Sequence, residues 1–135
     1  MEMSRFQERE VSYPMPKRIE TGTPDGEAIG FSDALFSGWL ELYDDLRLYL
    51  YYLISRFKNE GNTQTLIRQW LRGGYDIRIV KPSPVMQHII RKFGFEIAFE
   101  YLPDHYEDEV EVWCRPSALD RITYATHPRS RIHSH

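Results

Sequence analysis

The stretch from Lys58 to Phe95 constrains the fold more than any other, because every joint in it carries a start or stop signal. Leu66, Ile67, Trp70 and Leu71 share one face at helical spacing, Thr63 stands at the N-cap position, and Gly73-Gly74 offers the left-handed residue on which helices end. A short amphipathic helix is expected. Tyr75, Ile77 and Ile79 then alternate with Asp76 and Arg78 and lead into Val80, the period-2, β-branched signature of a strand. Ser83-Pro84 reads as an N-cap with proline at the first helical position. Met86, Ile89, Ile90 and Phe93 form a buried stripe, and Gly94 closes a second helix.

Two further strands are expected downstream. Phe95, Ile97 and Phe99 alternate with Glu96, Ala98 and Glu100, and Val110, Val112 and Cys114 alternate with Glu109, Glu111 and Trp113. The acidic loop LPDHYEDE between them makes an antiparallel hairpin. The unit therefore reads helix, strand, helix, strand, strand. At 135 residues the chain is one domain, large enough to fold without metals or disulfides. Its single cysteine, Cys114, excludes an internal disulfide framework and a cysteine-based zinc site, and its place in a strand marks it as a core thiol.

The flanks are less ordered by pattern. Residues 1–26 carry mixed charge, Pro14, Pro16, Pro24 and the turn-forming run TGTPDG, and read as an N-terminal arm with one short strand around Val11 to Tyr13. Residues 27–116 form the domain. Residues 117–135 read as a last helical turn and a polar tail whose His127, His133 and His135 are solvated rather than metal-bound.

Residues 27–57 admit two readings. As a helix capped by Ser32, Leu35, Trp39, Leu42, Leu46, Tyr49, Leu53 and Phe57 recur at spacings of three and four, which would make the protein a helical adaptor with a tyrosine-rich contact face. As strands, GWLELY and LRLYLYYLI flank an Asp44-Asp45 hairpin turn.

The turn KNEGNTQ precedes a helix N-terminus. If a strand feeds it, the backbone N–H groups of Gly61 to Gln64 converge on one spot to which the helix dipole adds positive charge, an arrangement that holds a pyrophosphate. Glycine at position 61 keeps a side chain out of the way of the phosphate.

A strand, a turn of the form R/Q-x-x-G-x-G/A, a helix, a strand, a helix ending in Gly-Phe and a β hairpin together resemble the GNAT family of N-acetyltransferases. Here the turn is Lys58, Gly61 and Thr63, and the stretch DIRIVKPSPVMQHIIRKFGFE looks like the family's fifth strand, fourth helix and following Gly-Phe. The resemblance covers residues 46–115. It implies a short, N-terminally reduced α/β fold, a mixed and mainly antiparallel sheet flanked by helices, with residues 46–56 as a strand. It also implies an acetyl-CoA site, in which Ile54 and Ser55 lie along the pantetheine arm and Lys58, Gly61, Asn62, Thr63 and Gln64 hold the pyrophosphate.

The reaction implied is direct attack of an amine on the thioester, which needs a base. Glu41, Asp44 and Asp45 on or near the preceding strands and His88 on the second helix are the candidates, with Glu41 and His88 foremost. Two positions depart from the family: Thr63 is β-branched where Gly or Ala is usual, and Ile90 stands where a tyrosine often protonates the departing thiolate.

The expected function is acetyl-CoA-dependent N-acetyl transfer to a small-molecule or protein amine. The alternative is a non-catalytic GNAT-fold interaction protein, such as a bacteriophage virion or host-interaction component. A net charge of −3 argues against nucleic acid as a partner, and no apolar run of about 18 residues or N-terminal signal region argues for a membrane. The expected location is the cytoplasm, the host cytoplasm or virion for a phage protein. Adjacent tyrosines and an open sheet edge suit a homo-oligomer or another protein partner.

Overall fold

The computed structural model of the protein describes residues 15–58 and 60–116. The expected strand at Val11 to Tyr13, the turn from Ser117 and the three tail histidines lie outside them.

The element order is β1 (Lys17–Glu20), α1 (Pro24–Ala28), β2 (Phe36–Leu42), β3 (Arg47–Ser55), α2 (Asn62–Arg72), β4 (Asp76–Val80), α3 (Pro84–Arg91), β5 (Glu96–Glu100) and β6 (Val110–Cys114). The strands form one sheet in the order β1-β2-β3-β4-β6-β5. Only the β3–β4 pairing is parallel; the other four are antiparallel. The fold is thus α/β with a mixed, mainly antiparallel sheet.

Of the stretch expected as an arm, the described part, residues 15–26, joins this sheet. Lys17–Glu20 is its edge strand, and the TGTPDG turn runs into α1, with Thr23 Oγ1 accepting from the Gly26 amide at 3.1 Å. The helical reading of residues 27–57 is overturned, and the adaptor with it. Ser32 accepts from the Leu35 amide but caps only a turn, after which β2 and β3 form a hairpin closed by Tyr43 N–H to Arg47 O. The spacing of three and four in that segment is accidental: Leu40, Leu48 and Leu50 face one side of a sheet while Glu41 and Tyr49 face the other.

Both longer helices pack on the Leu40, Leu48, Leu50, Ile77, Ile79 and Trp113 face. Leu66, Ile67 and Trp70 of α2 and Met86 and Ile90 of α3 complete this core. The opposite face carries Tyr49, Val80, Val110 and Val112, with Leu102 and Tyr106 of the β5–β6 loop against them. Below this layer a buried polar network is assembled. Arg78 Nη2 donates to Asp76 at 2.8 Å and Nη1 to the Tyr49 hydroxyl at 2.9 Å, and Tyr49 donates onward to Glu100. Burial alone would lower the Arg78 pKa, but Tyr49, Asp76 and Glu100 together raise it, so the cation persists in the sheet.

The α3 signals hold: Ser83 Oγ accepts from the Met86 amide at 3.2 Å and Gly94 adopts φ +85°. Thr63 is not the cap of α2. That position is Gly61 in the left-handed conformation, φ +71°, and Thr63 lies buried in the first turn. Cys114 is a core thiol, and burial pushes its pKa up to about 12. Downstream, Phe95 is buried, but Ile97 and Phe99 on β5 are exposed, because the helices stop short of this edge strand.

Candidate functional site

The site begins with a defect in strand pairing. Gly38 pairs Leu53 and Trp39 pairs Tyr52, yet Leu40 pairs Leu50, so Tyr51 is an extra residue, a β-bulge in β3. Gly38 is required beside it: a Cβ there would lie 2.0 Å from Tyr52 O. A bulge increases local twist and bends its strand. The result is visible in the pairing with β4, which runs from Arg47 to Leu50 and ends there. Residues 51–55 of β3 are paired to β2 on one side only, and their other backbone edge looks into a cleft.

Two contiguous cavities make up the cleft. One, about 310 Å³, lies where β3 and β4 part, between Tyr51 and Tyr52 on one wall and Ile79 to Lys81 on the other. The second, about 540 Å³, continues from Leu53, Ile54, Ser83 and Met86, shared by both, to the start of α2. Ile54, Ser55, Lys58, Gly61, Asn62, Thr63 and Gln64 all line the larger cavity. The structure therefore brings together every residue that the sequence assigned to the cofactor.

The α2 terminus is built differently from those of α1 and α3. Those two have a Thr or Ser side chain accepting a first-turn amide; α2 has no side-chain cap and no acidic residue in its first turn. The backbone N–H groups at the start of a helix have no intrahelical acceptor, and the dipole places partial positive charge on them. Asn62 Nδ2 is buried without a hydrogen-bond partner among the described residues. Lys58 is exposed on the same rim. This end of the cleft is a set of donors with no acceptor. Gly61 earns its place through its positive φ rather than through space, since a Cβ built on it meets nothing within 4 Å.

The two catalytic candidates are not brought together. His88 on α3 is exposed and lines the larger cavity on the helical side of the sheet. Glu41 on β2 faces the opposite side, in register with Tyr49. Asp44 and Asp45 are turn residues, and Asp45 is engaged by Arg47 Nε at 2.9 Å. Ile90 is fully buried in the core, so its position offers nothing to the cleft.

Around Glu41 stands a group that sequence reasoning missed. His105 Nε2 is 3.0 Å from Glu41 Oε2, and its ring centroid is 4.6 Å from Tyr51 and 5.7 Å from Trp39. Trp39 and Tyr51 stack at 4.6 Å and 8°. Burial first, and then the Glu41 charge, raise the Tyr51 pKa so that the phenol stays protonated. His105 lies in the loop read only as an acidic turn. Nothing local in LPDHYEDE ties it to a glutamate 64 residues earlier.

Comparison of the chain with family models, with curated proteins and with solved structures gave no match. Among the described residues no helix is long and apolar enough to cross a membrane, and no group of three or more His, Cys, Asp or Glu is placed to hold a metal ion.

Proposed function

We propose that the protein binds acetyl-CoA in the β3–α2 cleft and transfers the acetyl group to an amine, on a short GNAT-like fold. The observation that carries this reading is the parting of β3 from β4 into a cleft that runs to an uncapped helix N-terminus. A free strand edge suits the amides of a pantetheine arm, and unsatisfied N–H groups beside a lysine suit a diphosphate. The residues present fit the group. Asn62, Thr63 and Gln64 with Lys58 would hold the diphosphate, and residues 51–55 would align the arm. Thr63 is largely buried in the wall, and about 540 Å³ of cavity remains beside it.

Acetyl-CoA would supply an activated acyl group as a thioester. The chain's own part is to orient that group at the mouth between Tyr51 and Lys81 and to receive the proton of the attacking amine. Acetyl-CoA at 100 times its dissociation constant should stabilise the fold by about 2.7 kcal/mol, seen as a rise in melting temperature. No rise at millimolar acetyl-CoA contradicts the proposal.

A non-catalytic interaction role is the second reading, favoured by the exposed Ile97 and Phe99 on edge strand β5 and by the exposed Tyr101 that follows it. An apolar strip on a sheet edge is a place for another chain to pair. That reading expects no response to acetyl-CoA and a concentration-dependent mass in solution.

A further inference from the structure

We infer that His105 is the group that takes the proton from the attacking amine, with Glu41 as the residue that positions it; the inference rests on the acyl-transfer reading above. The β5–β6 loop winds back on itself, with the amides of His105 and Tyr106 both donating to Leu102 O at 3.0 and 2.9 Å. That turn delivers the imidazole to the sheet face opposite the helices. There it is held edge and face: Nε2 by Glu41 at 3.0 Å, the ring by Tyr51 at 4.6 Å. Packing and a directed hydrogen bond fix both its orientation and its tautomer.

Two residues place it at the mouth of the cleft. Tyr51, the bulged residue of β3, lines the gap between β3 and β4 and touches His105. Lys81, at the end of β4 with φ +48°, lines that same gap and also the open depression that contains His105. His105 thus lies one side chain away from the gap, against Tyr51 and in the depression shared with Lys81.

The proton inventory assigns the roles. A carboxylate accepts, so Nε2 carries the hydrogen toward Glu41 and Nδ1 is left as the acceptor. Nδ1 has no partner among the described residues. Glu41, the base expected from sequence, is already engaged by His105. In the reaction a C–N bond forms and the C–S bond breaks. The amine proton passes to His105 Nδ1, and the departing thiolate is protonated from solvent.

The test measures thiol release from acetyl-CoA with water, spermidine, Nα-acetyl-lysine and phenethylamine as acceptors. Wild type, His105→Ala, His105→Gln and Glu41→Gln are compared, and the melting-temperature rise with acetyl-CoA is recorded for each. The expected result is an unchanged rise in all four, kcat lowered about 100-fold or more in both His105 variants, and partial recovery of His105→Ala by added imidazole. Glu41→Gln should lower kcat less, with KM unchanged and no recovery by imidazole. Undiminished kcat in the His105 variants overturns the inference. So does wild type that binds acetyl-CoA but releases no thiol with any acceptor, while absence of binding overturns the acyl-transfer reading itself.

Discussion

The two halves of β3 are made of the same kinds of residue and do opposite things. Arg47 to Leu50 is paired on both edges, and Leu48, Tyr49 and Leu50 are buried. Beyond the bulged Tyr51, Tyr52 to Ser55 is paired on one edge, and Tyr52 and Ile54 are about half exposed. One extra residue at the bulge, licensed by Gly38 opposite, separates a closed root from an open mouth. The lesson is that a cleft can be made by interrupting a ladder rather than by adding a loop. The root is tied further by the buried hydrogen bonds among Arg78, Tyr49 and Glu100.

The largest expected difference between the halves is in packing. Leu50→Ala should cost about 2–5 kcal/mol of stability by leaving a cavity, whereas Ile54→Ala should cost less than about 0.5 kcal/mol as an exposed position. Denaturant melts of the two variants check this, and equal losses would erase the distinction between root and mouth.

Next comes the alkaline limb, which belongs to the root. The folded Cys114 thiol is pushed up to about 12 by burial, while an unfolded thiol titrates near 8.5. A raised folded pKa means stability is fully present below the unfolded value and is lost as pH rises toward the folded one. Between about pH 9 and 11 the wild type should lose up to about 1.4 kcal/mol per pH unit more than Cys114→Ala. Parallel slopes in the two proteins would place the thiol outside the closed root.

At the mouth the sensitive backbone position is Gly61. Gly61→Val should cost about 1–2 kcal/mol, because a β-branched residue is forced to φ +71°, and Gly61→Asn should recover most of it. Equal melting temperatures for the two variants would remove the conformational role of this glycine.

The smallest effect is expected at the hairpin that starts β3. Burial opposes ionisation of Asp45, but the hydrogen bonds from Arg47 outweigh it and lower its pKa. The contribution is therefore present above the unfolded pKa and lost as pH falls through the folded one. Asp45→Asn should change stability by less than about 1 kcal/mol at neutral pH, since the pair is solvated, and should flatten the acid limb. A loss of several kcal/mol would show that the turn matters more to the root than its exposure implies.

Much of β4 and α3 was legible in the sequence because local signals there agree. Ser83-Pro84, the alternation around Ile77 and the stop at Gly94 each act within a few residues. The mouth was half legible: the cavity-lining residues at the start of α2 were named from one turn, but the bulge that opens the cleft depends on Gly38 meeting Tyr52, a pairing no local pattern shows. The helical reading of residues 27–57 failed for a related reason. Apolar residues on both faces of a buried strand, such as Leu48, Tyr49 and Leu50, blur the period of two. His105 and Glu41 meet only through the sheet, so neither residue's neighbours announce the other.

Amide hydrogen exchange with and without acetyl-CoA tests the central claim most directly, since it reads both halves of β3 in one experiment. The account predicts slowed exchange at Tyr51 to Ser55 and at Asn62 to Gln64 on addition of acetyl-CoA. Arg47 to Leu50, already protected, should be unchanged. Unaltered exchange at the mouth, or protection confined to other parts of the sheet, would contradict it.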